Sequence, residues 1–370
     1  LGLLCAVFRT MPGLPYASSW RRVMAVATWR FLTDHQRYDM LVLEMGVGAP
    51  GGMTDMLQTF RPGIVIFTGV APGHLNEFGD EIRVFEEKVK LIRSVRSGTV
   101  ILNRDDSWCR RLENEPLRAE RLWFGRLPEG QAAGSLPAGL YFDRASTSSA
   151  GIAAEIHVAG PDAFPGLRAT SHRLSCPILG EHHLYSLLPA ILVGLLEGLD
   201  LERSCERLGT FDLPPSRLSR IPGIDSSTII DSSWNSSPRA VEAALRTLGE
   251  FPARRRVAML GCMQKLGDAS EDAHRGIGRT IPRYADVLIT VGPEARHFAE
   301  AAREGGMPQE QVHTFEASEE AARFLKGIIR ADDVILVKGA TAVYLDRAVK
   351  ILMRDPDQAD RLLFKRESSG

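Results

Sequence analysis

Four short apolar runs in the second half of the chain, at 228–230, 257–260, 287–291 and 334–337, alternate with helical patterns at 238–248, 271–281, 294–304, 319–329 and 343–353. Runs without polar alternation suit strands covered on both faces, and intervening helices supply the crossovers that parallel strands need. The alternation predicts an open α/β domain of Rossmann type. Ser237 before Pro238, and Ser270 before Glu271, place capping chemistry at two helix starts.

The first half carries a related pattern. Apolar runs at 40–43, 64–68 and 100–102 read as buried strands, and between the last two, Ile82, Phe85, Val89, Ile92 and Val95 draw one apolar stripe along a helix at 81–95. From 136 to 179 the composition shifts to Ser, Gly and short alternating pieces at 155–158 and 168–174, which predicts a small antiparallel sheet appended to a mostly parallel one. A helix fits 184–198. Leu213-Pro214-Pro215-Ser216 reads as a linker, dividing the chain into domains at 1–213 and 214–370.

Lysine and arginine total 45 against 46 acids, a balance that supplies no global field for nucleic acid, so any phosphate site must be local. The five cysteines are odd in number and never spaced as C-x-x-C, which argues against a disulfide framework or zinc cluster and for the cytoplasm. The longest apolar run, 187–196, is far short of the roughly 20 residues that cross a bilayer. No secretory leader is legible at the start, and no coiled-coil seam argues for more than a monomer.

In parallel sheets ligands collect beyond the carboxyl ends of strands. Polar residues there include Glu44, whose carboxylate suits a hard cation, and His74 in a Gly- and Pro-shaped turn. Others are Asn103-Arg104-Asp105-Asp106, the His182-His183 pair at a helix start, and the loop from Asp231 through Asn235 to Pro238. Lys88 lies beside the apolar stripe of its helix, where most lysines snorkel. Taken singly, each has an ordinary reading as a strand-end acid, loop histidine or helix cap.

Their joint order is more specific. Glu44-Met45-Gly46, Pro50-Gly51, His74-Leu75-Asn76-Glu77-Phe78-Gly79, Lys88, Asn103 to Asp106, Gly180-Glu181-His182, Ser216-Arg217, Asp231 to Pro238, Leu260-Gly261-Cys262-Met263, Leu266-Gly267, His274 and Val337-Lys338-Gly339 follow one another as do the motifs of a known family. In this the chain resembles the Mur ligases, ATP-dependent amide ligases of peptidoglycan synthesis, over about nine tenths of its length. The resemblance implies a central ATPase domain and a C-terminal Rossmann-like domain, with the reaction in the cleft between them. It also implies a P-loop upstream of Glu44, yet Gly-Lys occurs nowhere in the sequence, so the chain reads as an incomplete piece.

By the same resemblance, ATP phosphorylates a carboxylate of a nucleotide-sugar peptide, and an amino acid or dipeptide amine displaces the phosphate. Glu44 would bind one magnesium, while His74 and a carbamylated Lys88 would hold a second. The polar ends of these three are therefore expected to converge within about 10 Å of one another. His183, Arg217, Asp231 and Asn235 would contact the nucleotide and Lys338 the substrate. Several positions depart from the pattern: His183 stands where the family has Asn, Ser232 for Asp, Trp234 for Tyr, Cys262 for Asp and Lys265 for Glu. Those losses leave a second expectation open, a degenerate relative kept as a binding or scaffolding protein, and a third, a ligase of another amino-acid polymer.

Overall fold

The computed structural model describes residues 40–70, 75–264 and 266–364, with Leu75 and Asn76 described in backbone only. Two six-stranded sheets organise them. The first contains β1 (Ile64–Phe67), β2 (Thr99–Asn103), β3 (Glu120–Arg126), β4 (Gly139–Ser148), β5 (Gly151–Ala159) and β6 (Ser171–Cys176), side by side in chain order. Pairing is parallel from β1 through β4 and antiparallel from β4 to β6, so the antiparallel strands are appended at one edge of the parallel part. Its helices are α1 (Gly52–Thr59), α2 (Leu75–Phe78), α3 (Glu81–Arg93), α4 (Ser107–Arg110), α5 (Leu184–Leu196) and α6 (Leu201–Leu208).

Strand alternation assigns the two faces. Val100 and Leu102 of β2 point to a core built with Val84, Phe85, Val89 and Ile92 of α3, whereas Ile101 joins Leu122, Phe124 and Leu188 of α5 on the other side. Phe85, Val89, Ile92 and Val95 of the expected stripe are buried, and it fails only at its first position. Ile82 is 57% exposed, and Glu87 is buried instead, its Oε1 accepting from the Met53 backbone N–H at 3.0 Å and Oε2 pairing with Lys90. Glu87 thereby ties α3 to the start of α1, a polar link that hydrophobic spacing cannot reveal.

The run at 40–43 is not a strand. Met40, Leu41 and Val42 are 45, 47 and 82% exposed, in extended chain that pairs with no strand among the described residues. Among the described residues β1 is the edge of its sheet, with Ile66 40% exposed, and no strand covers the apolar side chains of this run.

The second sheet has the order β11-β10-β9-β12-β8-β7. It comprises β7 (Ser219–Pro222), β8 (Thr228–Ser232), β9 (Arg255–Gly261), β10 (Val287–Val291), β11 (Val312–Phe315) and β12 (Asp333–Lys338). All pair in parallel except β7, which turns back on β8. The helices are α7 (Pro238–Glu250), α8 (Ser270–Gly278), α9 (Arg296–Glu304), α10 (Ser318–Ile328), α11 (Leu345–Leu352) and α12 (Ala359–Leu362). Helices α7, α8 and α9 cover one face with Leu245, Ile277 and Phe298, and α10 and α11 cover the other with Leu325 and Val349. The expected Rossmann-type arrangement is present. Ser237 is the N-cap residue of α7 with Pro238 opening the helix, as expected, although its hydroxyl makes no capping bond, whereas Ser270 lies inside α8 rather than ahead of it.

Candidate functional site at the cleft between the sheets

Asp106 is the hub of the first half of the site. It lies just beyond the carboxyl end of β2 and caps α4, its Oδ1 accepting from the backbone N–H groups of Trp108 and Cys109 at 3.0 and 3.1 Å. Its Oδ2 lies against Gly69, in the segment that leaves β1, and 3.6 Å from the Arg239 guanidinium at the start of α7. Arg239 thus reaches from the second unit into the first. Lys88 of α3 is half-buried and feels the same carboxylate; burial pushes its ammonium below the usual range and Asp106 pulls it back up.

Glu44 is exposed, in the irregular segment before α1. His74 lies outside the described residues, and with it the expected convergence of Glu44, His74 and Lys88. Among the described residues no three His, Cys, Asp or Glu side chains form a metal-sized cluster. Lys88 is near enough for the charge of Asp106, beyond the carboxyl end of β2, to act on it.

Gly69 makes the close approach possible. It has φ of +138°, and an added Cβ would stand 2.5 Å from Asp106 Oδ2. Gly69→Ala is therefore expected to lower unfolding free energy by about 1–3 kcal/mol in urea titration. A midpoint equal to that of the unaltered chain would contradict this packing.

The second half of the site gathers around β8, β12 and the start of α5. His182 and His183 stack at 4.3 Å between ring centroids, directly before α5. His183 is pushed down to about 4 by burial and by the charge of Arg217, and its Nε2 is buried with no partner. Desolvation lowers His182 as well, with the positive charges of Lys338 and Arg246 adding to the effect. Both rings are neutral at physiological pH. Gly180, at φ +95°, lets this turn approach Thr247 of α7, and an added Cβ would lie 2.9 Å from its hydroxyl.

Asp231 is fully buried at the end of β8. Ser216 Oγ donates to its Oδ2 at 2.6 Å and the Ser233 backbone N–H to its Oδ1 at 3.0 Å, while burial still holds the carboxyl above the usual range. Lys338, the last residue of β12, is also buried; its Nζ donates to the Asn235 carbonyl at 2.7 Å and to Ser232 Oγ at 3.3 Å. Arg217 lies 5.6 Å from the Trp234 ring, which packs at 3.7 Å on Phe364. Of the residues singled out in the sequence, Lys338 and Asn235 are in direct contact, Asp231 lies close enough to act on Lys338, and the charges of Lys338 and Arg217 act on His182 and His183.

The helix-capping reading of Asn103 to Asp106 also holds, since Asn103 Oδ1 takes the Asp105 N–H at 3.0 Å and Asp106 caps α4. Sequence reasoning missed Arg239 and Arg246, whose only signal is position on the exposed face of α7, the first at its start and the second two turns further on. It also missed the clamp around the histidine turn: Tyr185 Oη donates to Asp105 Oδ2 at 2.7 Å, as does the Arg126 N–H, and the Arg126 guanidinium pairs with Glu181. A further cavity of about 390 Å³ opens beyond β9, β10 and β12, lined by Cys262, Pro293, Glu319, Tyr344 and Arg347. It occupies the topological switch point of the second sheet.

Residues 25–194 match the family model described as "Mur ligase middle domain", and residues 216–341 the one described as "Mur ligase, glutamate ligase domain". The chain is 25% identical over 321 residues to the UDP-N-acetylmuramoyl-tripeptide--D-alanyl-D-alanine ligase of Synechocystis sp., covering 86% of this chain and 64% of that protein. To the ligase of the same name from Mycobacterium leprae it is 27% identical over 352 residues, covering 88% and 66%. The chain therefore spans about 64–66% of the length of these relatives. The structure of MurF from Acinetobacter baumannii aligns with a TM-score of 0.71 at 21% identity, over 90% of this chain and 68% of that one. The Thermotoga maritima MurF ligase, solved in complex with ADP, aligns at 0.72 and 18%, over 97% and 77%.

Proposed function

Because the chain belongs to the Mur ligase family, carrying its middle and C-terminal domains, we propose that it works as the corresponding part of an ATP-dependent ligase of peptidoglycan precursor synthesis. The observation that supports this reading is that positive charge from the second unit reaches the buried histidine pair of the first, Arg217 acting on His183 and Lys338 on His182. The γ-phosphoryl group of ATP passes to a substrate carboxylate, leaving ADP and an acyl phosphate. The amine of the second substrate then attacks the acyl carbon, phosphate departs and the amine loses a proton. Such transfers need positioning and charge neutralisation more than covalent help from the protein.

In this scheme His183, Arg217, Asp231 and Asn235 surround the nucleotide, and Lys338 offers a recessed cation to an anionic substrate group. The 390 Å³ cavity beyond the second sheet receives the amine, a free amino acid or dipeptide. Glu44 and Lys88, with His74, would hold magnesium, Lys88 as its carbamate. The donor chemistry fits a hard cation: Glu44 brings carboxylate oxygens, and Lys88 sits half-buried, near enough for the charge of Asp106 to act on it. Magnesium, when bound, neutralises charge on the phosphates. We place the protein in the cytoplasm as a monomer, with a nucleotide-sugar peptide as its acid substrate. No described helix is long and apolar enough to cross a membrane.

The test is ADP release with UDP-N-acetylmuramoyl-tripeptide and D-alanyl-D-alanine, using the chain together with any in-frame sequence encoded upstream of Leu1. Turnover dependent on both substrates is expected; none, with a P-loop present, overturns the reading. The presence of His183 where the family has Asn favours one second reading, a binding protein without turnover. Magnesium-dependent ATP binding by calorimetry, accompanied by ligation, would remove it.

A further inference from the structure

We propose that His274 is a positioning residue that fixes the Cys262–Met263 wall of the cavity beyond β9. His274 is fully buried on α8, where its ring packs at 4.6 Å on Phe298 of α9. Its Nδ1 lies 2.6 Å from the Ser270 carbonyl oxygen. A carbonyl can only accept, so Nδ1 carries the proton, and in a neutral ring Nε2 is left with its lone pair. That lone pair accepts from the Met263 backbone N–H at 2.9 Å. Burial keeps the imidazole below its usual pKa, consistent with this single tautomer.

The bond matters because of where it is applied. β9 ends at Gly261, and Cys262, the next residue, lines the cavity. The Cys262 carbonyl accepts from Ala340 N–H at 3.0 Å, beyond β12, while Met263 is drawn the other way by His274. Ser270 extends the tie to a third wall, its Oγ donating at 3.2 Å to Glu294, next to the cavity-lining Pro293. The loops after β9, β10 and β12 are thus tied together by one imidazole, one backbone hydrogen bond between Ala340 and Cys262, and one side-chain bond from Ser270 to Glu294. The cavity's role as the amine's place rests on the function proposed above; the holding of the loop does not.

The experiment uses the full chain without ligand. His274→Phe keeps ring volume and removes the acceptor; His274→Gln returns an oxygen to Met263. Iodoacetamide labelling, mapped by mass spectrometry, reads Cys262, and deuterium uptake reads the Met263 amide. In His274→Phe, Cys262 labelling and Met263 exchange are expected to rise about tenfold, the size of one lost hydrogen bond. The buried Cys109, Cys176 and Cys205 keep their rates, and His274→Gln recovers to within about twofold of the unaltered chain. An unchanged Cys262 rate, or an equal rise at all four cysteines, overturns the proposal. If His274→Phe does not fold, His274→Leu is read by the same criteria. In active enzyme, KM for the amine is expected to rise with KM for ATP unmoved; labelling gained without that KM change upholds the holding of the loop and overturns the cavity as the amine's place. Absence of any turnover counts against the ligase reading alone, since labelling still decides the loop.

Discussion

Replacing Lys88 with alanine is expected to lower kcat for ligation by about 10²–10³-fold while leaving KM for ATP within about threefold. The two effects separate because the residues lie in different parts of the cleft. Lys88 feels the charge of Asp106, beyond the carboxyl end of β2, whereas that of Arg217 acts on His183, directly before α5. A side chain that acts on charge developing during phosphoryl transfer gives its energy to the transition state, so its loss appears in kcat. The fold should survive, since the apolar packing of α3 rests on Val84, Phe85, Val89 and Ile92. Steady-state kinetics of Lys88→Ala, with thermal melting as the control for folding, checks this. If Lys88 acts as its carbamate, depleting bicarbonate should lower the activity of the unaltered chain and restoring it should recover activity. A decrease below about tenfold, or one carried by KM for ATP, would leave Lys88 as a snorkelling surface lysine.

The parts of the fold legible in the sequence were those where burial repeats. β8, β9, β10 and β12 are covered on both faces, so their apolar runs stand out, and the helices between them keep one buried stripe each. β7 and β11 occupy the two edges of the second sheet, where fewer apolar positions are required, and neither run was legible. In the first half, the apolar run at 40–43 looked like a core strand because pattern alone cannot show whether a partner stands beside it. Glu87 and Ile82 fail for a related reason: a buried carboxylate satisfied by the Met53 backbone N–H is invisible to spacing.

The site divides in the same way. Asp231, Lys338 and the histidine pair follow an apolar run or open a helix, where parallel sheets place their ligands, whereas Arg217 was legible only through the family resemblance. Asp106 was legible only as a cap; its meeting with Arg239, 133 positions later in the chain, depends on how the two units approach each other. No local pattern encodes that distance. The departures at His183 and Cys262 were visible as letters, but their surroundings were not. A lone buried Nε2 and a thiol on a cavity wall are properties of packing.

Lys338 offers a large pH effect whose sign is fixed by its surroundings. Burial pushes its ammonium down to about 8, even with Asp231 pulling it upward, against an ordinary value of 10.5 in the unfolded chain. Between those two values the unfolded state holds a proton that the folded state has released. Unfolding free energy must then rise with pH across that interval, with a slope of up to ~1.4 kcal/mol per pH unit from this group, some ~3 kcal/mol in all. Below pH 8 the charged ammonium is retained in both states and the slope vanishes. Lys338→Met removes the group while keeping most of its stem, so other titrations common to both proteins cancel in the comparison. Urea midpoints of the two proteins at pH 7.5, 8.5 and 9.5, roughly spanning the expected change, should show the unaltered chain gaining on Lys338→Met as pH increases. A difference that stays flat, or that shrinks with pH, would mean that Lys338 is solvated rather than held dry against Asn235 and Ser232. A solvated Lys338 would keep its charge well above neutrality, and the recessed cation proposed to receive an anionic substrate group would then be an ordinary surface lysine at the end of β12.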